Sequence, residues 1–490
     1  MGIFTKKPIN KLILDSTDGE KGLKRTLSAT NLVALGIGAI IGAGLFVRTA
    51  AAAANNAGPS VTIGFIVAAL GCALAGLCYA EFASMIPIAG SAYTYSYATM
   101  GELVAWIIGW DLVLEYAVGA ATVGIAWSEY LNKLLEMVGM RIPYEWSHSP
   151  FESLKDAQGM VISHGMMNVP ALFIILMLTM LLIKGTKESA FVNGIIVLSK
   201  VSIVILFIVL GWNYMTPENH TPYIPAATIY TDTHGVSHKY GGIWGILGAA
   251  GVVFFAFIGF DAVSTAAQEA KNPKRDMPIG ILGSLVVCTV LYILFAHVLT
   301  GVANVNDFRT TGREASVAYA ITTYMAGHAW LANLVTVAIL FGFSSVILVM
   351  LMGQSRVFYS MSRDGLVPKV FSDLHPKYHT PYKSNWIFFI LVGAFAAFVP
   401  GDVVGDMTSI GTLFAFMLVC AGVWILRITN PEIKREFKVP AVGLVAILGI
   451  GVCGAMIAGL GVTNWARLGV WLALGLIIYF TYSRKNSKLK

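Results

Sequence analysis

Apolar residues in this chain come in long runs separated by short polar connections. Crossing the hydrocarbon layer of a membrane takes about 20 apolar residues. Charge-free runs of that order recur at Thr26–Val47, Asn55–Ala80, Met166–Ile183, Tyr240–Phe260, Met277–Asn306, Ala315–Ser355, Ser384–Gly401, Met407–Leu426 and Val439–Ala466. Leu103–Tyr130 and Ser189–Thr216 read the same way despite embedded charges, and Leu468–Ser483 is a shorter run. The pattern predicts an all-α membrane protein with twelve transmembrane helices, numbered here as spans 1 to 12.

Composition agrees. Of 490 residues 57% are hydrophobic and 12% charged, whereas soluble domains carry about a quarter charged. That excludes an ordinary soluble enzyme. The net charge of +7 is explained by position. With twelve spans, 24 lysines and arginines fall on the side of the termini, eight fall opposite, and one lies inside a span. By the positive-inside rule both termini are cytoplasmic. The basic balance is therefore loop charge, with no nucleic-acid partner. Residues 1–25 are polar and carry six of the basic residues, so no secretory signal is expected there. Cys72, Cys78, Cys288, Cys420 and Cys453 all sit in apolar runs, which argues for packing rather than disulfides or zinc. No GxxxxGK[ST], HExxH or GxSxG pattern and no His/Cys ligand spacing is present, so no enzyme, metal or cofactor is expected.

Two spans are interrupted. Span 1 holds four glycines in nine residues, Gly36-Ile37-Gly38-Ala39-Ile40-Ile41-Gly42-Ala43-Gly44, and each weakens a helix by about 1 kcal/mol relative to alanine. Span 6 reads Phe254-Phe255-Ala256-Phe257-Ile258-Gly259-Phe260-Asp261. Gly38-x-x-x-Gly42 alone also fits close helix packing. Spans 1 and 6, however, open two five-helix halves, and paired interruptions of this kind point to a transporter with its site at the midplane. A half-helix N-terminus offers N–H groups to a carboxylate and a half-helix C-terminus offers carbonyls to an ammonium. An α-amino acid carries both groups.

At these residues the chain resembles the amino acid–polyamine–organocation superfamily, and bacterial members of its cationic amino acid transporter family in particular. The resemblance rests on Gly36–Phe46, on Tyr79–Ala83 running to Gly90–Tyr93, and on Gly109–Tyr116. Phe254–Asp261 continuing to Pro278, and Gly353–Leu366, complete it. It implies a five-plus-five inverted repeat of the leucine-transporter type. The first repeat would cover residues 26–216 and the second 217–427, with 1–25 a cytoplasmic segment and 428–490 holding peripheral spans 11 and 12. By the same resemblance the substrate carboxylate sits on the amides of Gly42, Ala43 and Gly44. Its amino group faces carbonyls around Ile40, Ile41, Phe254, Ala256 and Ile258, with Phe254 or a neighbour such as Phe257 as aromatic lid.

Lys200 lies in the middle of span 5, out of easy snorkelling reach of either interface. The resemblance puts it where sodium-coupled relatives bind sodium, against the carbonyls of Gly38 and Ile41 and the hydroxyls of Ser344 and Ser345. The expectation is a proton-coupling lysine, against a fixed ion pair that props the bundle. Glu115 in span 3 reads as a proton relay, a contact for a substrate amine, or a packed carboxylate, and Asp111 shares its helix face. Asp261 is expected to bond freed backbone N–H groups. Glu81 and Glu269 read as gate or loop ion-pair residues, and His297 as an isolated core histidine.

By the family pattern Phe343 faces the side-chain end of the pocket and fills the volume a long cationic side chain would need. No carboxylate stands ready for a distal charge. The sequence therefore predicts proton-coupled symport of small neutral L-amino acids such as alanine in a bacterial inner membrane, with protons and lipid as the other partners. It leaves open a small accessory membrane helix, an amino acid or polyamine exchanger, transport of cationic amino acids, and a membrane nutrient sensor.

Overall fold

The computed structural model describes residues 4–8, 25–42, 44–136, 139–155, 160–231, 237–310, 316–458 and 462–488. Peptide groups in lipid find no water, so apolar runs close their hydrogen bonds internally as helices. Among the described residues twelve apolar helical stretches follow in chain order. They are α1 Ala29–Ile40, α2 Gly44–Met85, α3 Glu102–Glu136, α4 Val169–Lys184, α5 Lys187–Tyr214, α6 Gly242–Thr265, α7 Pro273–Val302, α8 Ala329–Arg363, α9 Tyr382–Phe398, α10 Ile410–Thr429, α11 Val442–Ile457 and α12 Trp465–Asn486. Eight are long and apolar enough to cross a membrane, and α1, α4, α9 and α11 are shorter. Each apolar run read from the sequence overlaps one of them. Among the described residues strands are confined to two antiparallel pairs in polar connections, β1 Ser153–Lys155 with β2 Val161–His164 and β3 Thr228–Thr231 with β4 Ser237–Tyr240.

The helix ends follow local chemistry. Ser28 and Asn31 form a reciprocal capping box at the start of α1. Asn168 accepts the Ala171 N–H at the start of α4, where Pro170 has no N–H to satisfy. Polarity is inverted relative to a soluble protein: Leu198 and Ile390 are 70% and 68% exposed, while Lys200 and Arg356 are fully buried. An apolar exterior of this kind suits a surface that faces lipid. All five cysteines are buried and free.

Long-range polar contacts tie the helices where they leave the apolar layer. Leu27 and Ala270 pair as a parallel bridge, with the Glu269 carbonyl accepting from the Thr26 and Leu27 N–H groups at 2.9 Å. The entry to α1 is thereby joined to the exit from α6. Glu269 also pairs with Arg356 of α8 at 2.9 Å, both fully enclosed. Glu81 accepts from Arg427 and from the Val439 N–H, and lies 3.1 Å from Arg435. The ion pairs expected of Glu81 and Glu269 are thus present.

α12 is clipped to α3. The Trp106 indole donates to the Gly475 carbonyl, and Trp110 and Trp471 each donate to the other's carbonyl with their rings stacked at 4.6 Å.

Candidate functional site

The first predicted span stops being helical at Ile40. Ile41 turns to φ −77°, ψ 98°, and helix resumes at Gly44 as the opening of α2. Ala43 lies outside the described residues. α6 runs regularly to Phe254, tightens over Phe255–Phe257, and breaks at Ile258 (ψ 136°) and Gly259 (φ +111°) before a further helical turn. Gly259 is required twice, by its positive φ and because a β-carbon there would fall 2.9 Å from the Ala39 β-carbon. The two interruptions therefore touch.

A break orphans carbonyls that the next helical turn would have used, and buried side chains take them up. The Lys200 Nζ, fully enclosed on α5, donates to the Gly38 carbonyl at 2.9 Å and the Ile41 carbonyl at 2.7 Å. The Tyr292 hydroxyl of α7 donates to the Ile40 carbonyl at 2.7 Å and the Ala256 carbonyl at 2.9 Å. Nothing in the sequence singles out Tyr292, because a tyrosine in an apolar run reads as core. It answers two of the carbonyls expected to face a substrate ammonium. Tyr292 thus stands at that position, linking both breaks through one phenol.

The serines expected beside Lys200 make other contacts. The Ser345 hydroxyl donates to Asn193 Oδ1 at 2.7 Å, and Asn193 donates in turn to the Ala34 carbonyl at 3.1 Å. Ser344 donates to the Leu340 carbonyl and accepts from the Trp127 indole at 3.0 Å. The hydroxyls have nearer acceptors on their own and neighbouring helices, so the described contacts of Lys200 are backbone carbonyls alone. Asn193, absent from the sequence reading, locks α1, α5 and α8 together two turns before the lysine on α5.

α3 widens into a π-turn at Leu114–Val118, a local expansion that frequently marks a functional position. Glu115 sits in it, fully buried, facing Asp261 and Thr412. Asp261 accepts from the Tyr116 hydroxyl at 2.5 Å. Asp111 is fully buried one turn away, and its oxygens have no hydrogen-bond partner.

Aromatic rings close the surroundings. Phe254 packs on Phe416 at 6.2 Å, and Phe257 lies 5.2 Å from Tyr292. Arg48 covers Phe255 at 5.3 Å. Ala256 and Ile258 are buried between them. Phe343 is fully enclosed with its ring edge-on to Tyr130 at 5.5 Å. His297 is not isolated: its ring centroid lies 4.6 Å from that of His220 in the α5–α6 connection.

Two discontinuous helices in contact, with their orphaned carbonyls held by a buried lysine and tyrosine inside an apolar helical shell, define a multi-pass membrane transporter. The chain belongs to the amino acid permease family, whose model matches residues 27–479. It is 44% identical over 487 residues to the branched-chain amino acid permease BcaP of Bacillus subtilis, covering 99% of each chain. It is 41% identical over 492 residues to the methylthioribose transporter of the same organism, again over 99% of each. A more distant relative is the vacuolar cationic amino acid transporter 4 of Arabidopsis thaliana, 32% identical over 439 residues, which are 88% of this chain and 68% of the plant protein. These relatives are transporters, not enzymes.

Proposed function

We propose that this protein is a proton-coupled symporter of small neutral L-amino acids such as alanine, working by alternating access in a bacterial cell membrane. In this reading all twelve helices cross the bilayer. Residues 26–216 and 217–427 form two inverted repeats, 428–490 carry the two further spans, and both chain ends are cytoplasmic. The substrate carboxylate is taken by the amides of Gly42, Ala43 and Gly44. Its ammonium competes with the Tyr292 hydroxyl for the Ile40 and Ala256 carbonyls.

The observation that carries the coupling is the Lys200 Nζ on the Gly38 and Ile41 carbonyls. Two acceptors satisfy both N–H bonds of an uncharged amine, while an ammonium has a third to place. Ile41 belongs to the break that receives substrate, so a shift of its carbonyl changes how well the lysine holds a proton. Glu115, facing Asp261 across the π-turn, is the second proton site in this reading.

Phe343 packed edge-on to Tyr130 supports a short side-chain pocket. The names of two relatives, branched-chain permeases of B. subtilis and Lactococcus lactis, favour a second reading in which branched apolar side chains are carried.

The test is uptake of labelled alanine into proteoliposomes with and without an inward proton gradient, for the parent and Lys200→Ala. Concentrative uptake that needs both gradient and lysine is expected. Uptake indifferent to the gradient but dependent on internal amino acid makes the protein an exchanger. Saturable preference for arginine overturns the neutral-substrate assignment.

A further inference from the structure

Both ends of the described chain meet at one mouth of the molecule. From the N-terminal side, Lys7 Nζ pairs with Asp364 at the end of α8 at 2.7 Å. The Lys7 N–H donates to the Tyr97 carbonyl and the Thr5 carbonyl accepts from the Glu102 N–H, both at 3.1 Å. Lys7 is only 7% exposed. Chain ends ordinarily fray unless something ties them down, so a lysine buried at residue 7 requires a built receptacle.

The tail builds that receptacle. The Glu102 carboxylate accepts from Tyr97 at 2.7 Å, from Tyr479 of α12 at 3.0 Å, and from the Ser487 hydroxyl. The Lys488 N–H donates to the Asp364 carbonyl at 3.0 Å, and its Nζ donates to the Arg363 carbonyl at 2.8 Å. Ser483 donates to the Leu366 carbonyl at 2.7 Å. The tail thus fixes the two acidic residues that hold the N-terminal segment.

Two left-handed glycines make the fit close. A β-carbon on Gly101 (φ +97°) would fall 2.4 Å from the Phe4 carbonyl oxygen, and one on Gly365 (φ +85°) 2.2 Å from that of Asn486. The cavity lined by Lys7, Gln268, Tyr359, Ser360 and Asp364 lies against the Lys7–Asp364 pair, and Ser360 lies one turn along α8 from Arg356 of the enclosed Glu269–Arg356 pair. The reciprocal indole bonds between α12 and α3 hold the tail at the right place.

We infer that the C-terminal tail fastens a gate: docked on Glu102 and Asp364, it holds the seat in which residues 4–8 close this mouth, and its release opens the mouth toward the interior. The inference rests on the transporter reading only for what the gate serves. Ser487 and Lys488 are positioning residues that act through Glu102 and Asp364.

The test is labelling of a Ser360→Cys reporter by a membrane-impermeant maleimide, from the side of the chain ends, in full-length protein in membranes. Ser487→Ala, Gly365→Ala and a chain ending at Ser483 are compared with the parent and with Lys7→Gln. Each tail variant is expected to speed labelling by about fivefold or more, the effect on a two-state population of losing a charge-assisted hydrogen bond. Lys7→Gln is expected to do the same. Labelling at the parental rate in Ser487→Ala and Gly365→Ala, with Lys7→Gln accelerated, overturns the role of the tail. These two variants decide the matter if the truncated chain fails to fold. The labelling needs no transport, so a failure of the symport reading appears separately, as absent uptake in the parent with the labelling response intact.

Discussion

Gly44 and Ala256 lie backbone against backbone: a β-carbon on the glycine would fall 2.2 Å from the alanine Cα and 2.8 Å from its nitrogen. Neither atom can turn aside as a side chain could. Gly44→Ala is therefore expected to push the two breaks apart. A displacement near 1 Å at a reacting or binding centre costs on the order of a hundredfold. Uptake should fall by about that factor while the size-exclusion profile stays monodisperse. Uptake within about twofold of the parent would show that the breaks tolerate separation.

Tyr292 answers carbonyls from both breaks with one hydroxyl. Tyr292→Phe keeps the ring and strands two buried acceptors, a loss of about 1–3 kcal/mol. A lowered thermal midpoint is expected, and added substrate should restore more of it than in the parent, since the ammonium reaches the same carbonyls.

The enclosed Glu269–Arg356 pair is asymmetric in its response to mutation. Arg356→Met removes the guanidinium paired with a buried carboxylate and is expected to cost about 3–5 kcal/mol, whereas replacing both partners by apolar residues costs little. Thermal unfolding of the two single variants and the double variant checks this. Additive losses would mean that the pair is not coupled.

His220 gives a pH dependence with a definite sign. Burial, then the neighbouring His297, hold its pKa below the ordinary 6.5. The folded contact therefore favours the neutral ring. It is at full strength above about pH 6.5 and weakens as the pH falls from there toward the lowered value. Hydrogen exchange of amides in the α5–α6 connection should quicken on acidification, and His220→Gln should abolish that change.

Phe343 sets pocket length in the proposed reading. Phe343→Ala should shift the ratio of leucine to alanine uptake by about tenfold toward leucine, the usual worth of one or two methylenes in an apolar pocket. An unchanged ratio would move the side-chain end of the site elsewhere.

The residues legible in the sequence were those that violate the local rule of an apolar helix. Glycines clustered at Gly36–Gly44, and a charge at Lys200 in the middle of a span, are conspicuous because lipid makes both costly. Residues that obey the rule stayed hidden: Tyr292 passes for core and Asn193 for a tolerated polar residue. The widened turn around Glu115 has no signature, since π-turns are set by packing. Partners far apart in the chain, such as Glu269 with Arg356 or Lys7 with Asp364, are fixed by topology alone. Ser344 and Ser345 went to other partners because helical hydroxyls find a carbonyl or amide nearby before they find a lysine.

The bridge between Leu27 and Ala270 has a mechanical consequence. Two broken helices would ordinarily supply two independent hinges, each with its own angle. Joined by backbone on the side where α1 begins and α6 ends, the two segments on that side form one lever with a common arm. A tilt of either drags the other. The molecule therefore has a single coordinate to control at this end, and whatever seizes one residue of that joint arrests both helices at once.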